Sequence, residues 1–250
     1  MNHTSSISFI HSCILPCLAI LALLCACRQT HITPDGQSDK PLTIFPDYTG
    51  VTFPSNIAPP NFRIMEEGDE FYTEIGNSKK IFFTSKTRQS SVNITENNWS
   101  KLLKETAGET FYIRIFVRQN GKWIQFPDIT NYISESPIDP YLVYRLIYPG
   151  YELWNQMGIY QRDLTSYREI PLIENQSIEK DCLNCHTFCK NSPETMMIHI
   201  RGKVGGTLVY RQGKINRLDV KSPEMKNGGA YAAWHPEGRY LAFSVNEIQQ

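Results

Sequence analysis

Phe111-Tyr112-Ile113-Arg114-Ile115-Phe116-Val117-Arg118-Gln119-Asn120-Gly121-Lys122-Trp123-Ile124-Gln125-Phe126 is the stretch that decides the fold class. Apolar side chains recur at every second position on both flanks of Asn120-Gly121, a spacing that puts them on one face of a strand. Asn-Gly tolerates the positive φ angles of a type I′ turn, so the two flanks read as a hairpin. Counting back from the turn pairs Val117 with Ile124 and Ile115 with Phe126, and these pairs are expected to face the core.

Working outward, Thr43 to Ser136 reads as a small β-sandwich (residues 43–136). One short helix is expected from Asn98 to Thr106, with Asn98 as its cap and Trp99, Leu102 and Leu103 turned inward. From Pro137 the chain becomes a series of short strands, Tyr141–Arg145, Gly158–Leu164, Glu169–Ile173, Thr207–Arg211 and Lys214–Val220, the last two joined by a Gln212-Gly213 turn. Ala233 to Gly238 then leads into a strand from Arg239 to Val245. The reading is all-β, with a β-sandwich-like domain followed by strands of a second β unit at 137–250.

The chemistry-bearing segment, residues 181–201, contains Cys182-Leu183-Asn184-Cys185-His186 and continues to Cys189, Met196 and His199. Two thiols with two residues between them can each form a thioether to a haem vinyl group, and the adjacent imidazole can then ligate the iron. In that reading Cys182, Cys185 and His186 hold haem c. His199 is the first candidate for the distal axial position and Met196 the second, with Met197 assigned to packing. Arg201 is a candidate partner for a haem propionate. Two other readings of the same residues stand beside it. A disulfide, Cys182–Cys185 or Cys185–Cys189, would staple a loop. A zinc ion held by three thiolates and His186 would need a strained tetrahedron in so short a segment. His235 reads as part of a turn and His31 as solvated.

The N-terminus carries an apolar run from Ile14 to Leu24, shorter than the roughly 20 residues needed to cross a bilayer as a helix. It suits the apolar core of a secretory signal. Leu24-Cys25-Ala26-Cys27 resembles the end of a bacterial lipoprotein signal, which implies removal of residues 1–26 and a lipid on Cys27. The expected localisation is therefore the cell envelope, with the membrane as a partner through that anchor. Residues 27–42, polar with Pro and Gly, read as a tether. After export, Cys182, Cys185 and Cys189 remain, an odd set that cannot all pair within one chain.

Trp234, Pro236, Gly238, Tyr240, Ala242 and Phe243 resemble the turn-and-strand element of TolB-like (PD40, WD40-like) β-propellers. Ile159, Asp163 and Leu164, and again Ile215, Leu218 and Asp219, resemble a second element of the same repeat. Cys182 to Phe188, Pro193 to Arg201 and Gly205-Gly206-Thr207 resemble exported proteins of Bacteroidetes-type bacteria that carry a cytochrome c-like motif on such a scaffold. Ile44 to Thr49 and Pro54 to Phe62 extend that resemblance over most of the mature chain. It implies an incomplete propeller, because Pro137 to Gln250 is too short for four blades of about 40–45 residues each. The chain therefore reads as a truncated copy of a longer protein.

The formal net charge of zero supplies no electrostatic argument for nucleic acid. No Gly-rich phosphate loop, serine nucleophile elbow or two-His-plus-Glu zinc motif is present, so no enzyme activity is expected. Two functions follow from the residues. One is a lipid-anchored haem protein for electron transfer or redox sensing, with a redox protein as partner. The other is a non-catalytic propeller scaffold that binds a protein or an envelope polymer, with the cysteines in a structural disulfide.

Overall fold

The computed structural model describes residues 31–147, 149, 156–224 and 229–244. Cys27 and the signal stretch lie outside the described residues. In chain order the strands are β1 (Gly36–Gln37), β2 (Ile44–Phe45), β3 (Thr52–Phe53), β4 (Phe62–Ile64), β5 (Glu70–Gly76), β6 (Ile81–Thr87) and β7 (Ser91–Val92). Helix α1 (Glu96–Glu105) follows, then β8 (Thr110–Gln119), β9 (Lys122–Gln125), β10 (Ile129–Ile133), β11 (Tyr141–Ile147), β12 (Met157–Asp163) and β13 (Glu169–Glu174). The remaining strands are β14 (Cys182–Phe188), β15 (Thr195–Arg201), β16 (Gly206–Arg211), β17 (Lys214–Leu218), β18 (Ala230–Trp234) and β19 (Leu241–Ser244). The fold is all-β, and α1 is the single α-helix among the described residues. Those residues form neither a closed barrel nor a complete propeller.

Two compact units divide the chain. Among the described residues, the first comprises residues 31–51, Pro60–Ile94 and Thr110–Tyr132; the second comprises Thr52–Pro59, Thr95–Glu109 and the described residues from Ile133 to Ser244. In the first, the predicted hairpin forms as read: Val117 pairs with Ile124, and the Phe126 amide donates to the Ile115 carbonyl. Asn120 and Gly121 take φ of 50° and 78°, the left-handed values that the turn requires. β8 is the organising strand, pairing with β5 along one edge and with β9 and β10 along the other. Ile113, Ile115 and Val117 are buried on one face. Phe116 is buried on the opposite face with Tyr72 and Ile32, so this strand is covered on both sides.

That second face also buries an acid. Glu74 is 0 % exposed and opposite Arg114 in the β5–β8 ladder. Arg114 Nη1 lies 3.5 Å from Glu74 Oε2, and the same guanidinium makes a bidentate pair with Asp128 at 2.9 and 2.8 Å. The Tyr72 hydroxyl donates to Glu74 Oε1 at 3.2 Å. Burial first, then the neighbouring Glu74 charge, pushes the Tyr72 phenol up to about 12.

Two expectations need correction here. The segment read as a tether is docked from Ile32 onward: Ile32 and Leu42 are buried, and β1 runs parallel to β9. The Trp123 amide donates to Asp35 Oδ2 at 2.7 Å, fixing that docking, while His31 is exposed as expected. The helix starts earlier than Asn98. Thr95 is its N-cap and makes no side-chain cap bond. Glu96 in the first turn complements the positive helix end, which favours the earlier start. Trp99, Leu102 and Leu103 are buried as predicted.

The second unit contains consecutive antiparallel sheets, β11-β12-β13, β14-β15-β16-β17 and β18-β19. The predicted strands from Tyr141 to Leu218 occur within a residue or two of their expected bounds, and Gln212-Gly213 makes the predicted turn, with φ of 50° and 78°. Leu183 and Ile200 of the four-stranded sheet pack with Met157 of the three-stranded one, and Ile173, Ile198 and Leu208 close around them.

Candidate functional site

The Cys-x-x-Cys-His segment is a strand, not the loop that the disulfide reading assumed. β14 begins at Cys182 because Leu183 (0 % exposed) and the apolar residues of β15 must share a buried face, and strand pairing achieves this. Its register on β15 is Cys182 with Arg201, Leu183 with Ile200, Cys185 with His199, His186 with Ile198 and Phe188 with Met196. The register shifts between Leu183 and Cys185, a β-bulge in which Asn184 is the extra residue.

This bulge decides the geometry of the site. In a regular strand, residues three apart point to opposite faces. The skipped residue gives Cys182 and Cys185 partners that are two apart, Arg201 and His199, and so assigns both cysteines to one face of the ladder. Cys182, at the bulged end, also touches the Leu183 cluster. His186 has the opposite parity. Its ring meets Phe188 edge-on at 6.2 Å.

The two candidate axial ligands separate in the same way. His199 pairs with Cys185 and so lies on the face opposite His186, 5 % exposed, with Nδ1 2.9 Å from the Thr207 hydroxyl. Met196, half-buried, shares the parity of Ile198 and therefore of His186. Met197 is fully buried, as its packing assignment requires. Cys182 and Cys185 are half-buried free thiols, whereas Cys189 is buried. His235 holds its turn: its amide donates to the Tyr240 carbonyl, and its Nδ1 accepts from the Glu237 amide at 3.2 Å. Among the described residues, no group of three or more His, Cys, Asp or Glu side chains is arranged to hold a metal ion.

Both imidazoles are held below the usual histidine value. Burial is the main cause for each, with Arg145 adding to it at His186 and Arg201 at His199; the Val143 backbone opposes it at His186. The folded state thus binds fewer protons than the unfolded chain just below the ordinary imidazole pKa of about 6.5. Stability is expected to fall as pH drops through that value and to level off below the folded pKa. Urea titrations from pH 7.5 to 5 check this, and the slope should flatten in His186→Gln/His199→Gln.

Sequence reasoning missed Asp181. It is buried, and its carboxylate accepts from the Lys203 amide at 3.0 Å and the Val204 amide at 2.8 Å, tying the start of β14 to the β15–β16 loop. Gly202 makes this possible: with φ of 144°, its backbone passes so close that a Cβ would sit 1.8 Å from Asp181 Oδ1. Beside this loop, a cavity of about 610 Å³ is lined by His199, Thr207, Arg201, Arg217, Asp219 and Lys221, among others. Of its lining, the sequence had singled out His199 and Arg201, but as haem contacts. No protein-family model, curated protein or solved structure matches the chain.

Proposed function

We propose that the chain is an envelope-anchored, non-catalytic β scaffold that binds a protein or an envelope polymer, in which Cys182 and Cys185 form a structural disulfide. The observation that carries this reading is the Asn184 bulge. It gives the two cysteines one parity and leaves His186 with the other. Their partners Arg201 and His199 are alternate residues, roughly 6.5 Å apart along β15, and a disulfide spans a Cα separation of up to about 6.8 Å. A macrocycle attached at the thiols, by contrast, would need His186 to turn through the ladder to the cysteines' face.

The consecutive antiparallel sheets of the second unit support TolB-like blades. The two sheets of the first unit, β8 with its neighbours and β2-β4-β7, support a sandwich. Anchoring rests on Cys27 and its signal-like surroundings. Covalent haem c for electron transfer or redox sensing is the second reading. One observation favours it: burial lowers the His186 pKa, which favours the neutral form an iron ligand needs.

A non-reduced digest of the exported protein, mapped by mass spectrometry after alkylation, tests the first reading. The expected product is a Cys182–Cys185 link with Cys189 as the alkylated thiol. Full alkylation of Cys182 and Cys185 in protein recovered from an oxidising compartment would contradict it.

A further inference from the structure

We propose that the cavity beside the β15–β16 loop is a binding site for a small molecule bearing an oxyanion, a phosphate or a carboxylate, gripped by Arg201, Arg217 and Lys221. The inference stands apart from the thiol reading, since it uses neither cysteine. At about 610 Å³ the cavity falls within the range of small-molecule sites, roughly 300–1,000 Å³. Three cationic side chains line it against one carboxylate, Asp219. Like charges gathered around a concavity raise the local concentration of anions and repel one another until one arrives.

The arrangement is also built in advance. Arg217 Nη2 donates to the Gly205 carbonyl at 2.6 Å, so its guanidinium is held before any ligand binds. Gly206 permits this, because a Cβ there would lie 2.8 Å from Arg217 Nε. A planar guanidinium with a fixed orientation loses less freedom on gripping an oxyanion than a mobile lysine does. The Lys203 and Val204 amides are already taken by Asp181, so the loop backbone is not the anion's seat and the cationic side chains are.

His199 and Thr207, both buried, line the cavity together. When the Thr207 hydroxyl donates to His199 Nδ1, the ring carries its proton on Nε2 and offers a neutral donor to the ligand. A bidentate arginine pair with a carboxylate or phosphate is the strong, directional form of this recognition.

Calorimetric titration of the intact, reduced and re-oxidised mature chain with inorganic phosphate and with succinate, against chloride at matched ionic strength, tests the site. Binding of either oxyanion at about 1 mM or tighter is expected, and the tighter of the two identifies the headgroup. Arg201→Ala and Lys221→Ala should each weaken it at least tenfold while leaving the circular dichroism unchanged. Should Arg201→Ala misfold, Arg201→Gln takes its place, and Lys221, exposed on the cavity rim, reports independently. Equal heats for phosphate, succinate and chloride, or undiminished binding in both variants, would overturn the proposal.

Discussion

Arg114→Ala is expected to destabilise the first unit by about 3–5 kcal/mol, the usual cost of removing one partner from a buried charge. Glu74 would be left in the β5–β8 sheet with one hydrogen bond, from Tyr72, and no cation; its Oε2 already lacks a hydrogen bond. The Arg114–Asp128 pair, about a third exposed on each side, contributes little by itself. Asp128→Ala should therefore cost under about 1 kcal/mol. Urea unfolding of both variants separates the two pairs. Adding Glu74→Gln to Arg114→Ala should recover part of the loss, because the buried group then carries no charge. A loss in Arg114→Ala no greater than in Asp128→Ala would show that Glu74 does not depend on the guanidinium.

Leu183→Ala is the second large effect, about 2–5 kcal/mol, because the side chain is fully buried between Met157 and Ile200 and its removal leaves a cavity. The consequence reaches the site. Leu183 is the anchor that holds β14 against the neighbouring sheet while the adjacent bulge arranges Cys182 and Cys185. Alkylation of reduced protein should therefore speed up at Cys182 and Cys185 together with the fall in urea midpoint. Leu183→Met, which keeps the volume, should cost under about 1.5 kcal/mol and leave the alkylation rates near those of the parent.

What could be read in the sequence was local. The Asn120-Gly121 hairpin and the Gln212-Gly213 turn are fixed by residues adjacent in the chain, so alternation and turn chemistry located them. The inward face of α1 was equally plain, although its start was set by Glu96 and the preceding extended Thr95, and not by the better capping residue Asn98. The β14 bulge was invisible because a register exists only relative to a partner, and β15 fixes it through Ile200 and His199. For the same reason a strict count of two along β15 places His199 opposite Ile198 and Ile200, yet cannot reveal that His186 lies on their side.

Asp181 and Glu74 look like ordinary surface acids in the sequence, since their amide and guanidinium partners come from other strands and loops. The cavity's cations are scattered likewise: Arg201 ends β15, Arg217 belongs to β17 and Lys221 follows it. Only the folded sheet gathers them.

The central claim is that the Asn184 bulge puts Cys182 and Cys185 on one face of the ladder, where they form a disulfide, and leaves His186 on the other. Its most direct test is the covalent haem content of the exported protein from a host that matures c-type cytochromes, read by intact mass and a pyridine haemochrome spectrum. The account predicts a mass two hydrogens below that of the fully reduced chain, with no Soret band. A mass higher by one haem, lost in Cys182→Ala/Cys185→Ala, would contradict it.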